Sequence, residues 1–148
     1  MNFRYVGSTE AALLAPLNSQ LIIDEGHRSK MTMPELAERM RQWLSEDYKA
    51  VVFEEDDVVL GYALFRFEPE AVYLRQLFVL SQYRRKGIGR AALDWLRKHA
   101  WQDKARIRID VLIGNERALK FWRSVGFEDY AVIMELENTR GQEAAAGT

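Results

Sequence analysis

An α/β protein is predicted from three stretches of this sequence. Residues 73–93 read as a buried strand, a short basic loop and a glycine pair that opens a helix. Residues 48–67 read as two strand patterns around the acidic turn Glu55-Asp56-Asp57. Residues 105–126 give a cleanly alternating strand, then an amphipathic helix that stops at Gly126. Strand and helix patterns interleaved along one chain imply a sheet with helices packed on it.

Taken in order, residues 3–6 are a short apolar run suited to an edge strand. Gly7-Ser8-Thr9-Glu10 offers a turn and a helix start with Ser8 or Thr9 as N-cap. That helix is expected to run to about Ile23 and to bury Leu13, Leu14, Leu17 and Leu21, with Pro16 bending or shortening it. Residues 24–30 form a polar break. Thr32-Met33-Pro34-Glu35 predicts a second start, with Thr32 as cap, Pro34 in the first turn and Glu35 closing a capping box. Met33, Leu36, Met40, Trp43 and Leu44 then recur at helical spacing, which reads as core. Strands at 48–54 and 58–67 make an antiparallel hairpin, and Gly61 marks a bulge or a close backbone approach. A strand at 72–79 follows. The helix after Gly89 turns Ile88, Ala92, Trp95 and His99 to one face; on the other, Asp94 and Lys98 are spaced as an ion pair.

In the strand at 105–112, Ile107, Ile109 and Val111 alternate with Arg106, Arg108 and Asp110. Gly114-Asn115 leads into a helix at 116–124 with the apolar stripe Ala118, Phe121, Trp122 and Val125, and Gly126 is its C-cap. Residues 127–137 hold one final strand. The expected organisation is one domain over 1–137 and a loose tail at 138–148, in the order β-α-α-β-β-β-α-β-α-β.

With 148 residues, 48% of them hydrophobic, the chain has enough apolar surface for a sizeable core. A net charge of -1 gives no global field toward nucleic acid or anionic lipid, so neither is an expected partner. There is no cysteine, which excludes disulfides and thiolate chemistry. Two histidines, His27 and His99, are too few for a histidine-built metal site, and none is expected. The opening residues lack the apolar run of a signal peptide, and no segment reaches membrane-spanning length; a cytoplasmic location is the default expectation.

The basic character is local. Arg84, Arg85 and Lys86 stand just before Gly87 and Gly89, where a helix begins. A helix N-terminus presents free N–H groups and the positive end of its dipole, and glycine lets an anion approach the backbone. The combination reads as a phosphate cradle. A solvated charge run is the plainer alternative. A sharper one is that Gly87-Ile88-Gly89-Arg90-Ala91-Ala92 also fits the dinucleotide pattern G-x-G-x-x-A, with Asp110 as the ribose-binding acid. Against that, Leu80 to Lys86 separate the strand from the first glycine, and too little chain follows for such a domain.

The spacing Arg84-x-x-Gly87-x-Gly89 resembles the Q/R-x-x-G-x-G/A motif of the GNAT family of N-acetyltransferases. Leu77-Phe78-Val79 just before the loop agrees with it. Residues 109–127, from Ile109-Asp110-Val111 through Asn115, Ala118, Phe121-Trp122 and Gly126-Phe127, are similar to the family's L-x-V-x-x-x-N-x-x-A-x-x-F/L-Y-x-x-x-G-F. The resemblance covers about residues 2–137. It implies a mixed central sheet of six to seven strands, about four helices, and a fourth and fifth strand that splay apart around acetyl-CoA, the co-substrate. It implies that backbone at Phe78 and Val79 pairs with the pantetheine arm. Arg85, Lys86, Gly87, Ile88, Gly89 and Arg90 then face the pyrophosphate, and Arg84 fixes the loop. Asn115 contacts the pantetheine or a water, and Phe121 and Trp122 border the cofactor.

The implied reaction is direct attack of a primary amine on the thioester. It needs a base, a donor to the thioester carbonyl and an acid for the thiolate. The Val79 N–H is the implied donor. Where the family often has tyrosine this chain has Trp122, whose indole N–H is no acid. Tyr130 and Tyr83 are the alternatives, and a thiolate with a pKa of about 8.5 can also leave unaided. Asp110 falls where protein N-terminal acetyltransferases of this fold carry a glutamate, and is the first candidate base; alternatively it sits on a charged sheet face or pairs with Arg75. Glu25 is the second candidate, or else a solvated loop acid, and His27 and Arg28 share its loop. The acceptor is a small-molecule amine, a peptide N-terminus or a lysine, and Asp24 and Glu25 favour a cationic one. A non-catalytic acyl-CoA-binding protein is the alternative function. One long C-terminal strand leaves an open sheet edge, which predicts a homodimer through that edge.

Overall fold

The computed structural model describes residues 1–139. Five strands form one mixed sheet in the order β1-β2-β3-β4-β5: β1 (Asn2–Val6), β2 (Tyr48–Glu55), β3 (Val58–Phe67), β4 (Ala71–Val79) and β5 (Arg106–Ile109). The first four pair antiparallel; β4 and β5 pair parallel. Four α-helices accompany them: α1 (Ala11–Asp24), α2 (Met33–Ser45), α3 (Ile88–His99) and α4 (Glu116–Ser124).

Local chemistry accounts for much of this. The Thr32 hydroxyl accepts from the Glu35 N–H at 3.3 Å while the Glu35 carboxylate accepts from the Thr32 N–H at 2.8 Å, so the capping box starts α2 as expected. The β2–β3 turn has φ of 50° at Asp56 and 64° at Asp57, the double left-handed geometry that suits the twist of a two-residue hairpin. Gly126, at φ 108°, closes α4, with Phe127 N–H bonded back to the Trp122 carbonyl.

The core lies on both faces of the sheet. On one, α1 and α2 pack Leu14, Leu17, Leu21 and Met40 against Tyr48, Val52, Tyr62, Leu64 and Phe78. On the other, α3 packs Ala92, Leu93 and Leu96 against Phe53, Phe65, Val72 and Leu74, with Phe121 and Trp122 of α4 at the margin. Full burial of side chains of this size contributes roughly 1.5–3 kcal/mol each.

Several expectations are corrected. The sheet has five strands among the described residues rather than six to seven. Residues 127–137 join no strand there, and Tyr130, Val132, Ile133, Met134 and Leu136 are exposed. β5 is also shorter than 105–112, because its pairing with β4 stops at Ile109. Ser8 and Thr9 enter a short 3-10 turn, and neither caps α1 through its side chain. Leu13 faces solvent: α1 buries Ala11, Leu14, Ala15, Leu17, Asn18 and Leu21, a stripe that passes it by. Pro16 sits inside α1 without ending it. His99 is exposed and stacks on Trp95 instead of entering the core. Among the described residues Asp94 and Lys98 form no ion pair. Of the expected tail, 140–148 lie outside the described residues.

Candidate active site at the splay of β4 and β5

β4 and β5 are paired only from Ala71↔Arg106 to Leu74↔Ile109. Beyond Leu74, β4 keeps its partner β3 as far as Val79, but its other edge is open from Arg75 onward. A bulge in the β3–β4 ladder leaves Arg75 without an opposite residue, and such bulges bend a strand. Gly61 lets β3 follow that bend: a Cβ there would lie 2.0 Å from the Phe78 carbonyl oxygen. The open edge therefore includes Phe78 and Val79, the backbone expected to face pantetheine.

The basic loop follows immediately. Arg84 ties it down, its Nε donating to the Val79 carbonyl at 2.8 Å and its terminal nitrogen to Asp24 at 2.5 Å. Arg85 (φ 65°) and Gly87 (φ 74°) both take left-handed geometry, and α3 starts at Ile88 without a side-chain cap. The first turn of α3 therefore offers the N–H groups of Ile88, Gly89 and Arg90, since the first bond back to the loop is Ala91 N–H to the Gly87 carbonyl. Arg85 and Lys86 are exposed beside them. Gly89 also seats α3 against α4, since a Cβ there would meet Phe121 Cζ at 3.2 Å. Phe121 and Trp122 lie edge to face at 5.1 Å, both half-buried. Asn115 caps α4, its carbonyl accepting from the Ala118 N–H at 3.2 Å, which leaves its amide as the free donor.

On the α1/α2 face the structure assembles a group that no local motif announces. Asp110 directly follows the last paired residue of β5 and accepts a hydrogen bond from the Tyr73 hydroxyl at 2.7 Å. The expected alternative partner, Arg75, instead donates to the Tyr48 hydroxyl at 3.2 Å, as does Arg66 at 3.3 Å. Burial, then the bond to Asp110, push the Tyr73 phenol up to about 12, so Tyr73 keeps its proton at neutral pH. Deeper in, the buried Tyr62 donates to Gln76 at 2.6 Å, and burial pushes its phenol far up. Glu25, at the end of α1, is close enough to influence Tyr62; burial and then neighbouring Asp24 raise its carboxyl above the usual range. Arg39 of α2 donates to Asn18 at 3.1 Å. The guanidiniums of Arg39 and Arg75 lie 4.4 and 4.5 Å from the centre of the Trp43 ring.

The remaining predicted residues stand further out. Tyr130 is 88% exposed, its ring 6.0 Å from the Arg108 guanidinium. Tyr83 is half-buried near Lys86. Arg28 pairs with Glu135 at 3.0 Å, and His27 is exposed. Trp43, Tyr48, Arg66, Tyr73 and Gln76 were missed by sequence reasoning. The one usable signal was the hairpin register, which brings Tyr48 opposite Arg66 once the bulge beside Gly61 is counted.

A family model described as "Acetyltransferase (GNAT) family" matches residues 19–127. A search of curated proteins gives no match. Among solved structures, a mutant of the BH1408 protein from Bacillus halodurans is 23% identical, with a TM-score of 0.76, over 92% of this chain and 98% of that one. A predicted acetyltransferase from Clostridium acetobutylicum, solved with acetyl-CoA, is 20% identical with a TM-score of 0.72 over 94% and 97%. The aminoglycoside N-acetyltransferase AAC(6')-Iy, solved with CoA, is 17% identical with a TM-score of 0.71 over 93% and 94%.

Proposed function

Because this chain belongs to the GNAT family of acetyltransferases, we propose that it moves an acetyl group from acetyl-CoA to a primary amine by direct attack. One observation carries the reading: the open edge of β4 is followed, across the short loop that Arg84 ties down, by a helix N-terminus flanked by Arg85 and Lys86. An extended amide-bearing arm fits the edge and a pyrophosphate fits the helix start.

In this reading the Val79 N–H polarises the thioester carbonyl, and Arg84 holds the strand end and loop in one geometry. Asp110 takes the amine proton. Tyr73, protonated at neutral pH, donates to one oxygen of Asp110 and so fixes the carboxylate at the mouth of the splay. Glu25 is the second candidate base. Trp122 packs beside Phe121 and supplies no proton, so the thiolate leaves to water or takes a proton from Tyr130. Trp122 also favours one second reading, a binding protein that holds acyl-CoA without turnover.

The test is thermal unfolding with acetyl-CoA, CoA and NAD in parallel. A ligand at about a hundred times its Kd stabilises by roughly 2.7 kcal/mol, which raises Tm by several degrees at this size. A shift with both CoA forms and none with NAD is expected. No shift with either CoA form would remove the transferase reading, and NAD alone would promote the dinucleotide one.

The same reading includes a homodimer through the C-terminal edge. The outer edge of β5 is open among the described residues, and Val132, Ile133, Met134 and Leu136 are 68–92% exposed in a segment of the same chain that joins no strand there. An exposed apolar segment together with an unpaired sheet edge favours strand addition from a second copy. A dimer mass in sedimentation at micromolar concentration is expected; a monomer there would count against it.

A further inference from the structure

Resting on the transferase reading, we infer that the acceptor amine also carries an oxyanion, a carboxylate or phosphate, bound by Arg75, Arg66 and Arg39 on the sheet face that holds Asp110. Three guanidiniums from three different elements converge there. Arg66 and Arg75 both donate to the single hydroxyl of Tyr48. Arg39 and Arg75 both stack on Trp43. Arg4, Arg28, Arg41, Arg84 and Arg123 are ion-paired with carboxylates. Arg39, Arg66 and Arg75, like the remaining described arginines, are in none of those pairs, and what marks them out is that they share Tyr48 and Trp43 as partners. Like charges gathered without a direct ion pair repel, and that repulsion is felt within the cluster, where burial and then Arg75 push Arg39 down from its ordinary value. The Arg39 Nε is buried with no acceptor, a donor that a bound anion could satisfy.

The geometry suits an oxyanion in particular. A guanidinium stacked on a ring keeps its in-plane N–H groups free, and two such groups match the two oxygens of a carboxylate or phosphate. The location also fits the reaction. Arg75 is the first residue of β4 past its last pairing with β5, and Asp110 is the first residue after the end of β5. They form the two lips of one opening, so an amine at Asp110 leaves its own substituent facing Arg75. The acids on this face are Asp110 and Glu25; Asp24, which in sequence favoured a cationic acceptor, is spent on Arg84.

The experiment has two arms. Phenylalanine is compared with phenylalaninamide, and phosphoethanolamine with ethanolamine, by CoA thiol release, which the cysteine-free chain does not obscure. In parallel, phosphate and acetate are titrated into CoA-saturated protein, whose basic loop is filled, while arginine Nε–H NMR signals are followed. The anionic partner of at least one pair should be preferred tenfold or more through KM. Arg75→Gln should erase that preference while leaving the Tm shift with acetyl-CoA intact, which a merely structural arginine would not do. Phosphate or acetate should move the Arg39 and Arg75 signals, and whichever does so identifies the oxyanion. Equal use of neutral and anionic partners overturns the inference, as does an unmoved arginine spectrum. If none of the four amines is acetylated, the titration decides alone. If acetyl-CoA fails to bind, the transferase reading falls, and the titration is repeated without CoA on Arg85→Gln/Lys86→Gln protein to judge the anion site separately.

Discussion

On the α3 side of the splay the proposed binding surface is main chain: the open edge of β4, the N–H groups that begin α3, and two left-handed residues, Arg85 and Gly87, that shape the loop between them. On the α1/α2 side it is side chain, with Arg39, Trp43, Tyr48, Arg66, Tyr73 and Arg75 supplied by four elements and Asp110 from beyond a fifth. A main-chain surface is set by where strands and helices start and stop, so it tolerates many side chains and serves a fixed ligand. A side-chain surface can change residue by residue while the sheet stays put. The first wall is therefore the natural place for the co-substrate and the second for the acceptor, and each can be broken without the other.

The largest effect is expected on the second wall. Asp110→Asn keeps the size of the side chain and its contact with Tyr73 but removes the proton acceptor. A lost general base costs about two orders of magnitude, so kcat/KM should fall by that much or more, with the acetyl-CoA Tm shift unchanged. Full turnover with a bound acceptor would remove Asp110 from the mechanism and move the role to Glu25. The first wall is expected to yield less. Reversing its charges with Arg85→Glu/Lys86→Glu should weaken acetyl-CoA binding about tenfold, because two exposed contacts contribute up to about 1 kcal/mol each. The loss should shrink at high salt, where exposed charges are screened. Calorimetry at two ionic strengths checks it; an unchanged Kd would mean that the pyrophosphate lies elsewhere.

The two walls also differ in how far the sequence reveals them. The co-substrate wall is contiguous, running from Leu77 to Arg90, and its signals are local: a strand, a cation run, two glycines and a helix. The Thr32–Glu35 capping box and the Asp56-Asp57 turn were legible for the same reason, since each is decided within four residues. The acceptor wall depends on register. Arg66 meets Tyr48 through a register that counts a bulge beside Gly61 in the β2–β3 ladder, and Arg75 is left unopposed by a second bulge, in the β3–β4 ladder, that no residue type there announces. Trp43 looked like core from its helical spacing, and periodicity cannot tell a ring that packs on Leu from one that packs on Arg39 and Arg75. Residues 127–137 carry a strand pattern, yet a strand needs a paired neighbour as well as a pattern, and none is supplied among the described residues.

The smallest expected effect asks whether Glu25 belongs to the buried wall or to a solvated loop. Burial, then Asp24, raise its carboxyl in the folded protein, so around neutral pH folding disfavours the charged form relative to the unfolded chain. A raised acid means that the folded state binds more protons between the two pKa values, so stability falls as pH rises through that window and the penalty persists above it. Glu25→Gln removes that penalty. The variant should be more stable than the parent at pH 7, by less than about 1 kcal/mol because solvent screens a partly exposed carboxylate. The difference should vanish below about pH 4, where glutamate is protonated in both states. Paired melting curves at pH 7 and pH 4 read it directly. A stability gain that grows on acidification has the wrong sign for a buried acid, and would return Glu25 to the solvated loop and leave Asp110 alone on the acceptor wall.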